Sequence, residues 1–208
     1  MIELAAIEDD RLLVDGLRAW ARTLPDIRLG AVTSTVDELL REPVGRHDVV
    51  LLNPRLRVDP DPGVNVRRLA GAGHRVLVVD DSTDLCTVAS CLAAGAHGYL
   101  SRDHAAADLA GTLRGIAAGG TAWSLGPTKP NGPGRPALSP REHLVMMAYA
   151  SGLTLDSAAR RLGISTETAR TYLKRVKAKY NQVGLPVHTK LDLAQQLRAE
   201  CAKAKRKR

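Results

Sequence analysis

The chain has 208 residues, 44% hydrophobic and 25% charged, which excludes a low-complexity or fibrous chain and suits one large or two small soluble domains. Its net charge of +8 is unevenly placed: residues 1–118 carry 13 basic against 17 acidic residues, whereas residues 139–208 carry 15 against 5, so a polyanion partner is expected for the second half only. The opening MIELAAIEDD lacks a basic segment followed by a long apolar run, so neither signal peptide nor membrane span is expected and the location expected is cytoplasmic.

In chain order, IELAAI reads as a strand over Ile2–Ile7, followed by a helix with Leu13, Leu17, Trp20 and Leu24 on one side. A strand over residues 27–32, a short helix over Val36–Leu40 and the apolar strand DVVLLN over residues 48–53 come next. A helix over residues 64–70 leads to the strand RVLVVD at residues 75–80. Helix Leu85–Ala94, strand 98–100 and helix 105–118 complete five βα repeats. Near-continuous apolar strands separated by helices specify a parallel sheet covered on both faces, here a five-stranded, doubly wound α/β domain over residues 1–118. Such sheets gather their working groups beyond the C-terminal strand ends. Those ends hold Glu8, Asp9 and Asp10, then Asn53, then Asp80 and Asp81, then Ser101 and Arg102. Acids at such places also serve as helix caps and loop charges. Tyr99, Trp20 and Trp123 read as packing residues.

Residues 119–137 are dense in Gly and Pro and read as a semi-extended linker that cannot sustain a helix or a central strand. A second, all-α domain of four helices is expected over residues 138–201. Ser139-Pro140-Arg141-Glu142 fits a capping box opening a helix over Pro140–Ala150. Thr154 then caps a helix whose Ala158, Ala159 and Leu162 share a face, Gly163 supplies a tight turn, and Ser165 caps a second helix. There Ala169, Leu173, Val176 and Tyr180 recur at helical spacing, which leaves Thr166, Glu167, Arg170, Thr171, Lys174, Arg175 and Lys177 on the remaining surface. A helix pair broken at Gly, apolar behind and basic in front, fits the major groove of double-stranded operator DNA. A last helix over residues 190–200 aligns Leu193 and Leu197, and residues 202–208 read as a disordered basic tail. Cys86, Cys91 and Cys201 show no metal-ligand spacing and are expected as reduced thiols. No nucleophile with an adjacent base, phosphate loop or metal-ligand set is legible, so neither an enzyme nor a cofactor or metal is expected.

The succession EDD, DVVLLN, GYLSRD, a Gly/Pro linker, then LSPRE, ASGLT, AARRLGIS and RTYLKRVKAKY resembles a bacterial two-component response regulator of the LuxR-type DNA-binding class over essentially the whole chain. The resemblance implies a flavodoxin-like receiver controlling a LuxR-type helix-turn-helix domain that binds DNA as a homodimer. By position it implies base-reading or groove-facing roles for Arg170, Thr171 and Lys174, phosphate contacts for Thr154 and Lys177, and dimerisation through the helix over residues 190–200. Its receiver pocket would comprise Glu8, Asp9, Asp10, Asn53, Asp80 and Arg102, and there the chain departs from the family. Asn53 replaces the phosphate-accepting Asp, Asp80 the small hydroxyl residue and Arg102 the Lys, while Pro54 directly follows Asn53. A carboxamide is a poor nucleophile and gives no anionic oxygen to a metal ion. Three changes in one pocket imply an atypical regulator that acts independently of Asp phosphorylation, with Arg102 expected to pair with Asp80 or Asp9. Leu144 and Met147 occupy positions that the family often fills with charge, which implies contact with the receiver or a second subunit. Two alternatives stay open: a small-molecule ligand in the vacated pocket, and a heterodimer with another regulator.

Overall fold

In the computed structural model the protein is described over residues 1–42, 47–59, 61–80, 84–102, 106–124 and 135–205. Asp81, the expected helix start at Ala105, linker residues 125–134 and residues 206–208 lie outside these. The first domain runs β1 (Ile2–Ile7), α1 (Arg11–Ala21), β2 (Ile27–Thr33), α2 (Val36–Leu40), β3 (Val49–Leu52), α3 (Pro62–Gly71), β4 (Val76–Asp80), α4 (Leu85–Ala94), β5 (Gly98–Ser101), α5 (Ala106–Ala117) and β6 (Ala122–Trp123). The strands are all parallel in the order β2-β1-β3-β4-β5-β6. The order reverses between β1 and β3, the place where doubly wound sheets open a crevice.

Strand side chains alternate between two cores, as a period of two requires. Leu4, Ala6, Leu51, Leu77, Val79 and Leu100 meet Leu113 and Ile116 of α5 on one face. Ala5, Ile7, Val50, Leu52, Val76 and Val78 meet Leu39, Val66, Leu69, Val88 and Leu92 on the other. Each fully buried Leu or Val stabilises by roughly 1.5–3 kcal/mol relative to exposure, so these faces fix the strand register and thereby what stands at each strand end.

The sheet has six strands rather than the expected five. Ala122 and Trp123 pair with Gly98 and Tyr99, and the Gly/Pro argument does not exclude them because a two-residue edge strand needs one pairing side and neither residue is Pro. Gly98 makes the pairing possible: a Cβ there would lie 2.5 Å from the Ala122 carbonyl oxygen.

The second domain comprises α6 (Pro140–Ala150), α7 (Leu155–Leu162), α8 (Thr166–Gln182) and α9 (Lys190–Lys205). Ser139 and Glu142 complete the capping box, Thr154 and Ser165 cap α7 and α8, and Gly163 takes the left-handed conformation at φ 65° that ends α7. Residues 202–205 belong to α9 rather than to a disordered tail, because Ala and Lys are strong helix formers that prolong a helix already docked. Among the described residues no helix is long and apolar enough to cross a membrane.

The domains pack against each other instead of hanging on a slack linker. One apolar cluster runs from Val88 and Leu92 of α4 to Leu144, Met147, Leu193 and Leu197. Every residue from Glu142 to Ala148 is buried, since α6 is covered by α7, α8 and α9 and also meets α4. At the rim, Trp123 Nε1 donates to the Arg161 carbonyl at 2.8 Å. Arg161 in turn donates to the Leu92 carbonyl at 3.0 Å. Cys86 of α4 and Cys201 of α9 form a disulfide, which corrects the expectation of reduced thiols: spacing along the chain is blind to a meeting across 115 residues. Cys91 is free and buried.

Candidate functional site

The apolar strands β1, β3 and β4 end together, and this brings Glu8, Asn53 and Asp80 to one edge of the sheet, buried at 6%, 7% and 1% exposure. Glu8 is the hub. Its Oε1 accepts from the Asn53 side-chain amide at 2.8 Å and from the backbone N–H groups of Asp9 and Asp10 at 3.0 Å each. Its Oε2 accepts from the Arg102 guanidinium at 3.0 Å. Asp80 Oδ1 accepts from Arg55 Nε at 2.8 Å, and its Oδ2 from the Tyr99 hydroxyl at 2.7 Å. Asn53 Oδ1 accepts from the Arg55 N–H at 2.9 Å.

This arrangement corrects one expectation. Arg102 pairs with Glu8, not with Asp80 or Asp9; Asp80 is already taken by Arg55, a residue that reading strand ends alone overlooked because it lies two positions into the following loop. Tyr99 is more than packing: burial, then its bond to Asp80, holds its hydroxyl well above the ordinary tyrosine range, so it remains a donor.

The other two acids are engaged as well. Asp10 caps α1, accepting from the Leu12 N–H at 2.9 Å and from that of Leu13, and Asp9 accepts from the Arg57 N–H at 2.9 Å. A divalent cation, which the receiver fold implies, needs several carboxylate oxygens free to converge. Here the oxygens face protein donors, two guanidiniums lie among them, and Asn53 supplies a neutral amide. The residues do not fit the ion. Among the described residues, no group of three or more His, Cys, Asp or Glu side chains is placed to hold a metal.

The second site lies on α8. Its apolar face buries Ala169, Val176 and Tyr180, and this turns Glu167, Arg170, Thr171, Lys174 and Arg175 outward, all exposed. Glu167 pairs with Arg170 one turn on, and the Arg175 guanidinium lies 5.9 Å from the centre of the Tyr172 ring. The residues flanking this face have structural partners. Thr166 donates to Asp156 at 2.9 Å and so ties α8 to α7, and Thr154 accepts the Ser157 N–H at 3.2 Å. Lys177 donates to the His188 carbonyl at 2.6 Å, which anchors the loop before α9. An ammonium has three donors, so a phosphate contact would be additional to that bond.

Leu193 and Leu197 are buried in the domain's own core, at 0% and 7% exposure. They are therefore not available as a dimer surface, because the stripe at this spacing faces α6. Among the described residues, the large apolar side chain that α9 leaves exposed is Leu191.

The model of bacterial regulatory proteins of the luxR family matches residues 136–192. Over 189 residues the chain is 26% identical to the transcriptional regulatory protein MctR of Rhizobium johnstonii, covering 86% of each. The structure of the RcsB response regulator of Salmonella typhimurium superposes with a TM-score of 0.53 at 15% identity, over 95% of this chain and 98% of that one. RcsB has also been solved as two dimers bound to two parallel DNAs. ChrA, a response regulator of a heme-sensing two-component system, superposes with a TM-score of 0.51 at 25% identity, over 99% and 98%. The matched residues 136–192 hold the helix pair and the outward basic face of α8, and the domain before them has the parallel sheet of receivers. The C-terminal domain is thus a helix-turn-helix domain of the luxR family of bacterial regulatory proteins, and the domain before it has the fold of response-regulator receivers.

Proposed function

We propose that this regulator reads operator DNA as a homodimer in the cytoplasm, and that its receiver domain works without aspartyl phosphorylation. The observation that carries the second part is the closed network of Glu8, Asn53 and Arg102: an amide stands where a nucleophilic carboxylate would be needed, and a guanidinium engages the acid that would help hold a metal ion. Arg170, Thr171 and Lys174 read bases, with Arg175 and, secondarily, Lys177 and Thr154 on the flanking phosphates. Leu12 and Leu13 on α1 and Leu191 on α9 are exposed apolar residues that support pairing of two copies. The division into a regulatory unit, a connecting segment around residues 119–137 and a DNA-binding unit from residue 138 belongs to the same proposal.

A second reading is favoured by a cavity of about 370 Å³, lined by Leu12, Leu17, Trp20 and Leu109 with Glu8 and Arg102. It suits a small ligand with an apolar body and one polar end. Mapping of bound sites across the host genome tests the primary reading. Wild type should concentrate on a shared two-fold motif, and the Arg170→Ala/Lys174→Ala variant should lose it. An unchanged map in the variant would remove α8 from the reading role.

A further inference from the structure

Cys86 and Cys201 join the receiver to the DNA-binding domain. Cys86 is in the first turn of α4, with its N–H bonded to the cap residue Asp84, and a helix N-terminus stabilises a thiolate. Cys201 sits in α9 at a Cα separation of 5.5 Å, within the range that a disulfide spans. The apolar seam around them, with Val88, Leu92, Leu144 and Leu197 in one cluster, brings the two sulfurs together by packing, so the pair stays aligned when reduced. Both cysteines are half-buried and within reach of a small thiol reagent, whereas Cys91 is fully buried and burial pushes its thiol up to about 12. In a reducing compartment, disulfides are characteristically reversible and redox-sensing.

We propose that Cys86 and Cys201 are a reversible thiol–disulfide latch, set by low-molecular-weight disulfides of the glutathione type, that fixes the DNA-binding domain against the receiver. The cytoplasmic setting rests on the regulator reading given above. One cysteine, as thiolate, attacks the reagent disulfide and releases one small thiol; the second cysteine then displaces the other. The Cys86–Cys201 bond forms, the reagent S–S bond breaks, and the two protons and two electrons leave with two small thiols. The latch acts on the seam between α4, α6 and α9, not on the DNA face, because Arg170, Thr171, Lys174 and Arg175 are exposed in the latched arrangement. Closing a loop across 115 residues restricts separation of the domains far more than it alters either domain.

The test equilibrates full-length protein in buffers of graded oxidised to reduced glutathione, then combines acid quench, alkylation and peptide mapping with amide hydrogen exchange and DNA binding. Cys86 and Cys201 should pass together into one cross-linked peptide pair within a single chain, two hydrogens lighter, while Cys91 remains a thiol. Exchange in α4 and α9 should slow on oxidation, and DNA binding should persist. Cys86→Ser and Cys201→Ser should each abolish the slowing, and reduced wild type supplies the unlatched state should a variant fail to fold. Cys201 found in a mixed disulfide or between two chains with Cys86 still free would overturn the latch. So would a cross-link without slower exchange, or one that abolishes DNA binding. Failure of both redox forms to bind any DNA, with the cross-link forming on oxidation as expected, would instead count against the regulator reading.

Discussion

At the C-terminal edge of the sheet, Glu8 and Asp80 are almost wholly buried and accept hydrogen bonds from Asn53, Arg102, Arg55 and Tyr99. On α8, by contrast, Arg170, Thr171, Lys174 and Arg175 stand in solvent, and Lys174 is without a carboxylate partner among the described residues. The same chain therefore confines its charge at one site and presents it at the other. Charge that is already paired can neither recruit a phosphoryl group nor share a metal ion; charge left in water is available to a polyanion at little cost in desolvation. On the proposal made above, the difference is how a receiver fold would be kept without its phosphoryl chemistry.

The largest effect expected from this contrast is on DNA affinity. If a dimer contacts on the order of 6–10 phosphates, affinity should fall by roughly 10³-fold or more between 50 and 200 mM salt. Fluorescence anisotropy titrations would check this, and a flat response would break the solvent-facing half of the comparison.

The confined half is sharpened by Asn53→Asp. The new carboxylate would replace an amide donor 2.8 Å from Glu8, setting two acids side by side, with the Arg102 guanidinium already on the other oxygen of Glu8. A cost of roughly 3–5 kcal/mol at neutral pH is expected, shrinking on acidification as one of the pair takes a proton. Urea unfolding at pH 7 and pH 5 reads this difference. A variant as stable as wild type at pH 7 would mean that the pocket has room for a second charge.

The core of the second domain should show its own pH dependence. His143 on α6 is buried, and desolvation pushes its pKa down to about 4 from the usual 6.5. The unfolded chain binds a proton more readily in that interval, so the contribution is complete above about pH 6.5 and lost as pH falls toward 4, roughly 3 kcal/mol in all. Stability of His143→Leu should fall less over this range than that of wild type. Equal slopes would mean that burial of His143 does not set this pH response.

Both folds were legible in the sequence, for reasons that the residues make plain. Runs such as DVVLLN, short, β-branched and repeated between helical stretches, fit strands buried on both faces, and the Ser139, Thr154, Ser165 and Gly163 signals bound their helices because capping is local chemistry. The short edge strand at Ala122 and Trp123 was not legible, since two residues carry no periodicity and the strand depends on Gly98 letting it approach. At the sites, the identities of Glu8, Asn53, Asp80 and Arg102 could be read from strand ends, but the pairing could not. Arg102 meets Glu8 while Arg55 occupies Asp80, and which arginine reaches which acid is a matter of loop geometry that residue identities do not give. Leu193 and Leu197 show the same limit. Their helical stripe was apparent, yet only packing decides whether a stripe faces a partner or the chain's own core.

The most direct test of the central claim is to incubate the wild-type protein with acetyl phosphate and Mg²⁺, then measure intact mass and operator affinity on the same sample. With Asn53 in place of a nucleophilic carboxylate and Glu8 engaged by Arg102, the mass should be unchanged and the affinity identical to that of untreated protein. A stable phosphoryl adduct on the receiver domain, accompanied by tighter operator binding, would contradict the account.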